Sequence, residues 1–250
     1  MPVKKTKTQS KEKVYMVTGS AGFIGFAVAR RLLETGHKVV GVDNMNDYYD
    51  VILKKKRNDI LLKFKKYHFH KVHLEDIKKI REVFDTHKNI DVIIHLGAQA
   101  GVRYSMENPW QYAHSNYIGS LNIFECAKEK KIPHIISASS SSVYGNSKPP
   151  YHEKDSKTDT PISVYAATKK GVESLAHTYT HLYPMTIVNL RFFTVYGPWS
   201  RPDMAMLKFA QKIVTDEKIV LYNKGKMKRG FTYVEDIVDG VLAAEHVESG

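Results

Sequence analysis

The stretch Val14-Tyr15-Met16-Val17-Thr18-Gly19-Ser20-Ala21-Gly22-Phe23-Ile24-Gly25 decides the fold. Val14 to Val17 reads as a buried strand. A helical pattern runs from Ile24 to Thr35 and stops at Gly36. Between them lies a turn in which Gly19 permits tight bending and Gly22 opens the backbone to close approach, while Gly25 allows the helix to pack near the sheet. The helix N-terminus then presents unpaired N–H groups, a ready site for a pyrophosphate.

Outward from this unit, strands and helices alternate. Strands are expected at Lys38 to Val42, Tyr67 to His73, Val92 to Leu96, His134 to Ala138 and Thr186 to Phe193. Helices are expected at about Glu75 to Thr86, Trp110 to Lys130 and Ser163 to Leu182. Alternation of this kind predicts a parallel sheet covered on both faces. From Pro198 the regularity weakens, with a helix expected at about Met204 to Thr215, a short strand at Ile219 to Tyr222 and a helix from Glu235 to Glu248. The reading is an α/β chain: a Rossmann-like doubly wound parallel sheet over 14–197, preceded by a basic arm over 1–13. Residues 198–250 read as material packed beside the sheet, not as an independent domain.

Composition narrows the function classes. The single Cys126 excludes a disulfide framework and a multi-cysteine metal site, and no metal is expected. No apolar run reaches the roughly 18 residues of a membrane span. The first ten residues lack the apolar stretch of a secretory signal. The expectation is a reduced, cytoplasmic, soluble protein. A net charge of +12 favours anionic partners without choosing among them. Lys54-Lys55-Lys56-Arg57 reads as a solvated helix face. Charge alone does not make a nucleic-acid site, so neither nucleic acid nor membrane is expected as a partner.

Two features carry chemistry. Asp43 closes the second strand about twenty residues after the glycine turn, where a carboxylate can bind a ribose diol and repel a 2′-phosphate. That favours NAD over NADP. Tyr165 and Lys169 stand one helical turn apart, so an ammonium could lower the phenol's pKa and make it a usable base. Three other Tyr/Lys pairs have this spacing, but only Tyr165 begins a convincing helix after a buried strand and a long loop. Upstream, Ser139-Ser140-Ser141-Ser142 follows a strand end, where a hydroxyl can bridge Tyr165 and a substrate oxygen. Ser140 is the first candidate and Ser142 the alternative.

The turn spacing, Thr18-Gly19-x-x-Gly22-x-x-Gly25, resembles the extended short-chain dehydrogenases/reductases. Longer motifs narrow this: Gly41-Val42-Asp43-Asn44-Met45-Asn46-Asp47-Tyr48-Tyr49-Asp50, Ala98-Gln99-Ala100-Gly101-Val102-Arg103-Tyr104-Ser105, Arg191-Phe192-Phe193-Thr194-Val195-Tyr196-Gly197-Pro198-Trp199 and Arg201-Pro202-Asp203-Met204. Together they resemble UDP-glucuronate 4-epimerases over almost the whole chain from Val14. The resemblance implies tightly held NAD, a UDP-sugar substrate and a homodimer. It implies cofactor contacts from Gly19, Gly22, Phe23, Ile24, Gly25, Asp43, Asn44, Asp76, Ile77, Leu96, Gln99, Tyr165 and Lys169. It implies substrate contacts from Arg103, Thr194, Arg201 and Arg229, the last matching the family's diphosphate-binding arginine.

The implied reaction oxidises C4 of the sugar and returns the hydride to the other face. Related dehydratases and decarboxylases carry acidic residues inside the serine loop, where this chain has Ser141 and Ser142, which disfavours elimination. Oxidised glucuronate is a β-keto acid, so its carboxylate must be held out of line with the carbonyl. Thr194, at a strand end, and Arg201, just beyond it, can do this, and the resemblance points to the same two positions. The chain departs from the family at Gly230, where Asp is usual. The family also continues for several dozen residues past the point matching Gly250, so the resemblance implies that 198–250 is a small, incomplete C-terminal substrate-binding region, part of the nucleotide-sugar-binding lobe. An epimerase for a neutral UDP-hexose and a non-catalytic NAD-binding protein are the alternative readings.

Overall fold

The computed structural model describes residues 11–154, 157–226 and 228–247. Lys4, Lys5 and Lys7 of the basic arm lie outside the described residues. Six parallel strands form the main sheet: β1 (Val14–Thr18), β2 (Lys38–Asp43), β3 (Tyr67–Lys71), β4 (Val92–His95), β5 (His134–Ser140) and β6 (Thr186–Phe192). Their order is β3-β2-β1-β4-β5-β6, with the reversal between β1 and β4. Such a switch point opens a crevice at the carboxyl ends of the strands.

Alternation along β1 sorts the core. Tyr15 and Val17 pack with α1 (Phe23–Glu34) and α9 (Val234–Ala243). Met16 faces the other way, among residues of α3 (Ile77–Thr86), α6 (Gly119–Glu129) and α7 (Val164–Leu182). Both faces are therefore buried, as a parallel sheet requires.

Several local expectations change. The helix expected over Trp110 to Lys130 is broken into α4 (Tyr104–Glu107), α5 (Pro109–Tyr112), a π-helical turn (Ala113–Ile118) and then α6. Pro109 cannot supply an interior N–H, so it starts a new segment. The strand expected at Ile219 to Tyr222 does not form; a 3-10 turn (Tyr222–Gly225) follows that stretch. Two short strands, β7 (Thr194–Tyr196) and β8 (Phe231–Tyr233), pair in parallel instead. The last helix ends at Ala243 rather than near Glu248.

The basic segment at Lys54 to Arg57 is not wholly a solvated face. It lies on α2 (Val51–Leu61), where Lys54 is 6% and Arg57 0% exposed. Three residues apart, they share one helix face, and that face turns inward. The 198–250 region is also divided. α9 joins the core through Val234, Val238 and Val241 and pairs Glu235 with Arg30 and Arg31 of α1. By contrast α8 (Ala205–Val214) buries no residue. Among the described residues, no helix is long and apolar enough to cross a membrane.

Candidate active site

A cavity of about 690 Å³ runs along the carboxyl ends of the strands. At its base the glycine turn takes the geometry its residues allow. Gly19 has φ +71° and faces Gly97, so a Cβ there would meet the Gly97 backbone at 2.9 Å. A Cβ on Gly25 would meet the Gly19 carbonyl oxygen at 2.1 Å. The role expected for Gly25 is thereby refined: its missing side chain lets α1 close onto the turn itself. Gly22 is the N-cap of α1 and offers no side-chain cap, so the first N–H groups of the helix stay open to an anion.

Asp43 forms the side wall. Its Oδ2 accepts from Ala21 N at 3.1 Å and its Oδ1 from Met45 N at 2.8 Å. Each oxygen keeps a second lone pair for a hydroxyl. Lys54, buried nearby, donates to Asn46 Oδ1 at 2.5 Å. Together the turn, its open helix end and the diol-ready carboxylate fit a dinucleotide such as NAD.

Behind this wall, four polar side chains are fully paired. Thr18 Oγ1 lies 2.8 Å from His95 Nδ1 and also accepts from Gly97 N. His95 Nε2 lies 2.9 Å from Ser120 Oγ, which itself donates to Asn116 O. The proton count makes His95 neutral with its hydrogen on Nε2. Burial pushes its pKa down to about 3. Asn116 brackets the Gln99 backbone and donates to Thr168 of α7 at 3.2 Å. Sequence reading missed His95 and Asn116, because an isolated His in an apolar strand and an Asn in a helix carry no local signal.

At the far side α7 aligns on β5 one turn at a time. Ser163 caps the helix, accepting from Ala166 N at 3.1 Å. Tyr165 faces the Ser140 hydroxyl, which acts to lower the phenol's pKa. Lys169 Nζ donates to Ala138 O at 2.7 Å. Glu173 accepts from Ser139 Oγ at 2.6 Å and pairs with Arg191 Nε and Nη2 at 2.8 and 2.9 Å. Residues 165, 169 and 173 share one helix face, and three consecutive β5 residues receive them.

The net shift of the Tyr165 pKa is upward, opposite to the lowering expected beside Lys169. Burial raises the phenol above its ordinary range, opposed by the Ser140 hydroxyl and the Arg201 charge. The ammonium is instead aimed at Ala138 O, and burial pushes its own pKa down to about 8. Ser140 Oγ also accepts from Ser142 N, whereas Ser142 Oγ is buried and unpaired. A buried hydroxyl without a protein partner on a cavity wall is available to a bound molecule.

Of the residues expected at the site, Gly19, Gly22, Phe23, Ile24, Gly25, Asp43, Asn44, Leu96, Gln99, Ser140, Ser142, Tyr165, Lys169, Thr194, Arg201 and Arg229 all line the cavity. Three do not. Asp76 caps α3, accepting from Lys79 N at 3.2 Å, and Ile77 begins that helix. Arg103 is exposed at the start of α4, outside the cavity wall. Among the described residues, no cluster of His, Cys, Asp or Glu could hold a metal ion.

The sheet order and glycine turn define a dinucleotide-binding α/β protein, with Tyr165, Lys169 and Ser140 gathered on one wall of its cavity. Comparison with known proteins sharpens this. Residues 15–250 match the model of the NAD dependent epimerase/dehydratase family, and the chain belongs to that family. It is 48% identical over 234 residues to a probable UDP-glucuronate 4-epimerase of Rhizobium meliloti, covering 93% of this chain and 68% of that one. It is 46% identical over 230 residues to a UDP-glucuronate 4-epimerase of Thermodesulfobacterium geofontis, covering 92% and 71%. The fold matches the crystal structure of UDP-glucuronic acid 4-epimerase from Bacillus cereus in complex with UDP-glucuronic acid and NAD. The TM-score is 0.85 at 32% identity, covering 94% of this chain and 74% of that one. A UDP-glucose 4-epimerase from Thermotoga maritima matches with TM-score 0.83 at 27% identity, covering 93% and 73%.

Proposed function

We propose that the protein interconverts UDP-glucuronate and UDP-galacturonate by NAD-dependent epimerisation at C4. One observation carries the reading: Tyr165 and Arg201 line one cavity, close enough that the Arg201 charge favours the Tyr165 phenolate. On a hexuronate, C4 and the C5 carboxylate are neighbours. A base for the 4-hydroxyl and a cation for the carboxylate must therefore lie side by side.

NAD, which the Gly19–Gly25 turn and Asp43 would hold, would supply the acceptor and donor for the C4 hydride. Tyr165 takes the proton from the 4-hydroxyl and gives it back. Ser140 holds the phenol oxygen, and Ser142 Oγ is free to hold the sugar oxygen. Lys169, which lines the cavity and donates to Ala138 O, would hold the nicotinamide ribose. Thr194 and Arg201 keep the carboxylate from aligning with the 4-keto group, where CO₂ would be lost. Arg229, on the exposed cavity rim beside Gly230, is the diphosphate contact. The 198–250 region contributes the nucleotide-sugar contacts, and the active form is a homodimer in the cytoplasm.

Incubation with UDP-glucuronate and separation of the sugars tests this reading, with UDP-galacturonate the expected product. Conversion of UDP-glucose with UDP-glucuronate untouched would replace it with a neutral-hexose epimerase. One observation favours that second reading: Arg201 is already paired with an internal carboxylate, Asp203.

A further inference from the structure

Arg201 lines the cavity, and the carboxylate that holds it, Asp203, is given no task by the proposed reaction. Asp203 meets the Arg201 guanidinium edge-on: Nε donates to Oδ1 at 2.9 Å and Nη2 to Oδ2 at 2.5 Å. The two side chains are 22% and 21% exposed. Tyr48 Oη donates to Asp203 Oδ2 at 3.3 Å, and the Tyr48 ring faces the guanidinium at 5.9 Å.

The backbone under this pair is pinned. Arg57, fully buried, donates to Trp199 O at 2.5 Å and Ser200 O at 3.5 Å, just ahead of Arg201. The same guanidinium holds Ala21 O at 3.0 Å and Tyr49 Oη at 2.7 Å. The Arg201–Asp203 pair is thus set into the fold by the glycine turn and α2, unlike a loose surface ion pair.

A guanidinium has two edges that can grip a carboxylate with two hydrogen bonds, Nε/Nη2 and Nη1/Nη2. Asp203 fills the first. The second is left for a substrate, in a plane that Asp203 fixes. The internal carboxylate also offsets the arginine's charge, which weakens the pull on an anionic sugar. It spares a neutral sugar from facing an uncompensated cation. We infer that Asp203 is a specificity-determining residue that restrains the preference of the pocket for hexuronates over neutral hexoses. This inference rests on the reading of Arg201 as the carboxylate contact.

The test measures affinities of the NAD-loaded chain for UDP-glucuronate and UDP-glucose by calorimetry, so that no turnover is required. Asp203→Asn keeps an Oδ1 acceptor for Nε and removes the charge. UDP-glucuronate should bind on the order of 10-fold more tightly, and UDP-glucose should stay within about twofold. Affinities that fall together would assign Asp203 a purely structural role, and an unchanged ratio would equally overturn the inference. Arg201→Met separates the two levels of the argument. It should erase the preference for UDP-glucuronate. If it does and Asp203→Asn leaves the ratio alone, only the Asp203 role fails. If Arg201→Met itself changes nothing, the carboxylate reading of Arg201 fails first.

Discussion

Lys169 donates its ammonium to the carbonyl oxygen of Ala138, tying α7 to the end of β5. Its folded pKa, about 8, lies below its ordinary value of 10.5 because burial penalises the charge. The unfolded chain therefore binds more protons between these values, and this residue's cost to stability fades as pH rises from 8 to 10.5. Lys169→Met should lose turnover by at least ~10²-fold. Its melting temperature relative to the parent should drop as pH rises across that window, measured by parallel thermal scans. A difference independent of pH would show that Lys169 does not titrate there.

Tyr165→Phe should fold and retain NAD while losing at least ~10²-fold in rate, the usual scale for an acid–base group. Ser140 still accepts from Ser142 N, so the serine loop should survive. Near-normal turnover would remove Tyr165 from the mechanism.

Asp43→Ala should lower the NAD content of the purified protein. The same carboxylate holds Ala21 N and Met45 N, so a fall in melting temperature should accompany the loss. Cofactor content is read from the absorbance of denatured protein. Unchanged occupancy would count against the ribose role.

Glu173 is 8% exposed and faces Arg191, Ser139 and Lys170. Glu173→Gln leaves Arg191 without its charge partner and should destabilise by about 3 kcal/mol, the scale for breaking a buried pair. Denaturant unfolding checks this. A change below about 1 kcal/mol would mean that solvent compensates Arg191.

The chain should lose stability on acidification partly through His95. Its folded pKa, about 3, lies below the ordinary 6.5, so the unfolded state takes up the proton first as pH falls below 6.5. The slope approaches about 1.4 kcal/mol per pH unit while the folded ring stays neutral. His95→Gln should flatten unfolding free energy between pH 6 and 4. An unaltered slope would place the acid sensitivity in other groups.

The Val14–Gly25 turn, Asp43 and the Tyr165/Lys169 pair were legible because their chemistry is local. A tight turn needs glycine where Gly19 has φ +71°, and i, i+4 spacing fixes a helix face without further knowledge. The six strands were likewise readable from apolar runs between helical patterns. By contrast β7 and β8 join residues 194–196 and 231–233, a pairing set only when the chain comes together. Burial of Lys54 and Arg57 was hidden for the same reason. Their carbonyl and amide partners at Ala21, Asn46 and Trp199 come from three separate segments, and a run of basic residues does not show which of them face inward. The target of the Lys169 ammonium and the Asp203 grip on Arg201 belong here too. Spacing states which groups can meet; direction, burial and competing acceptors settle which do, and those exist only in the folded chain.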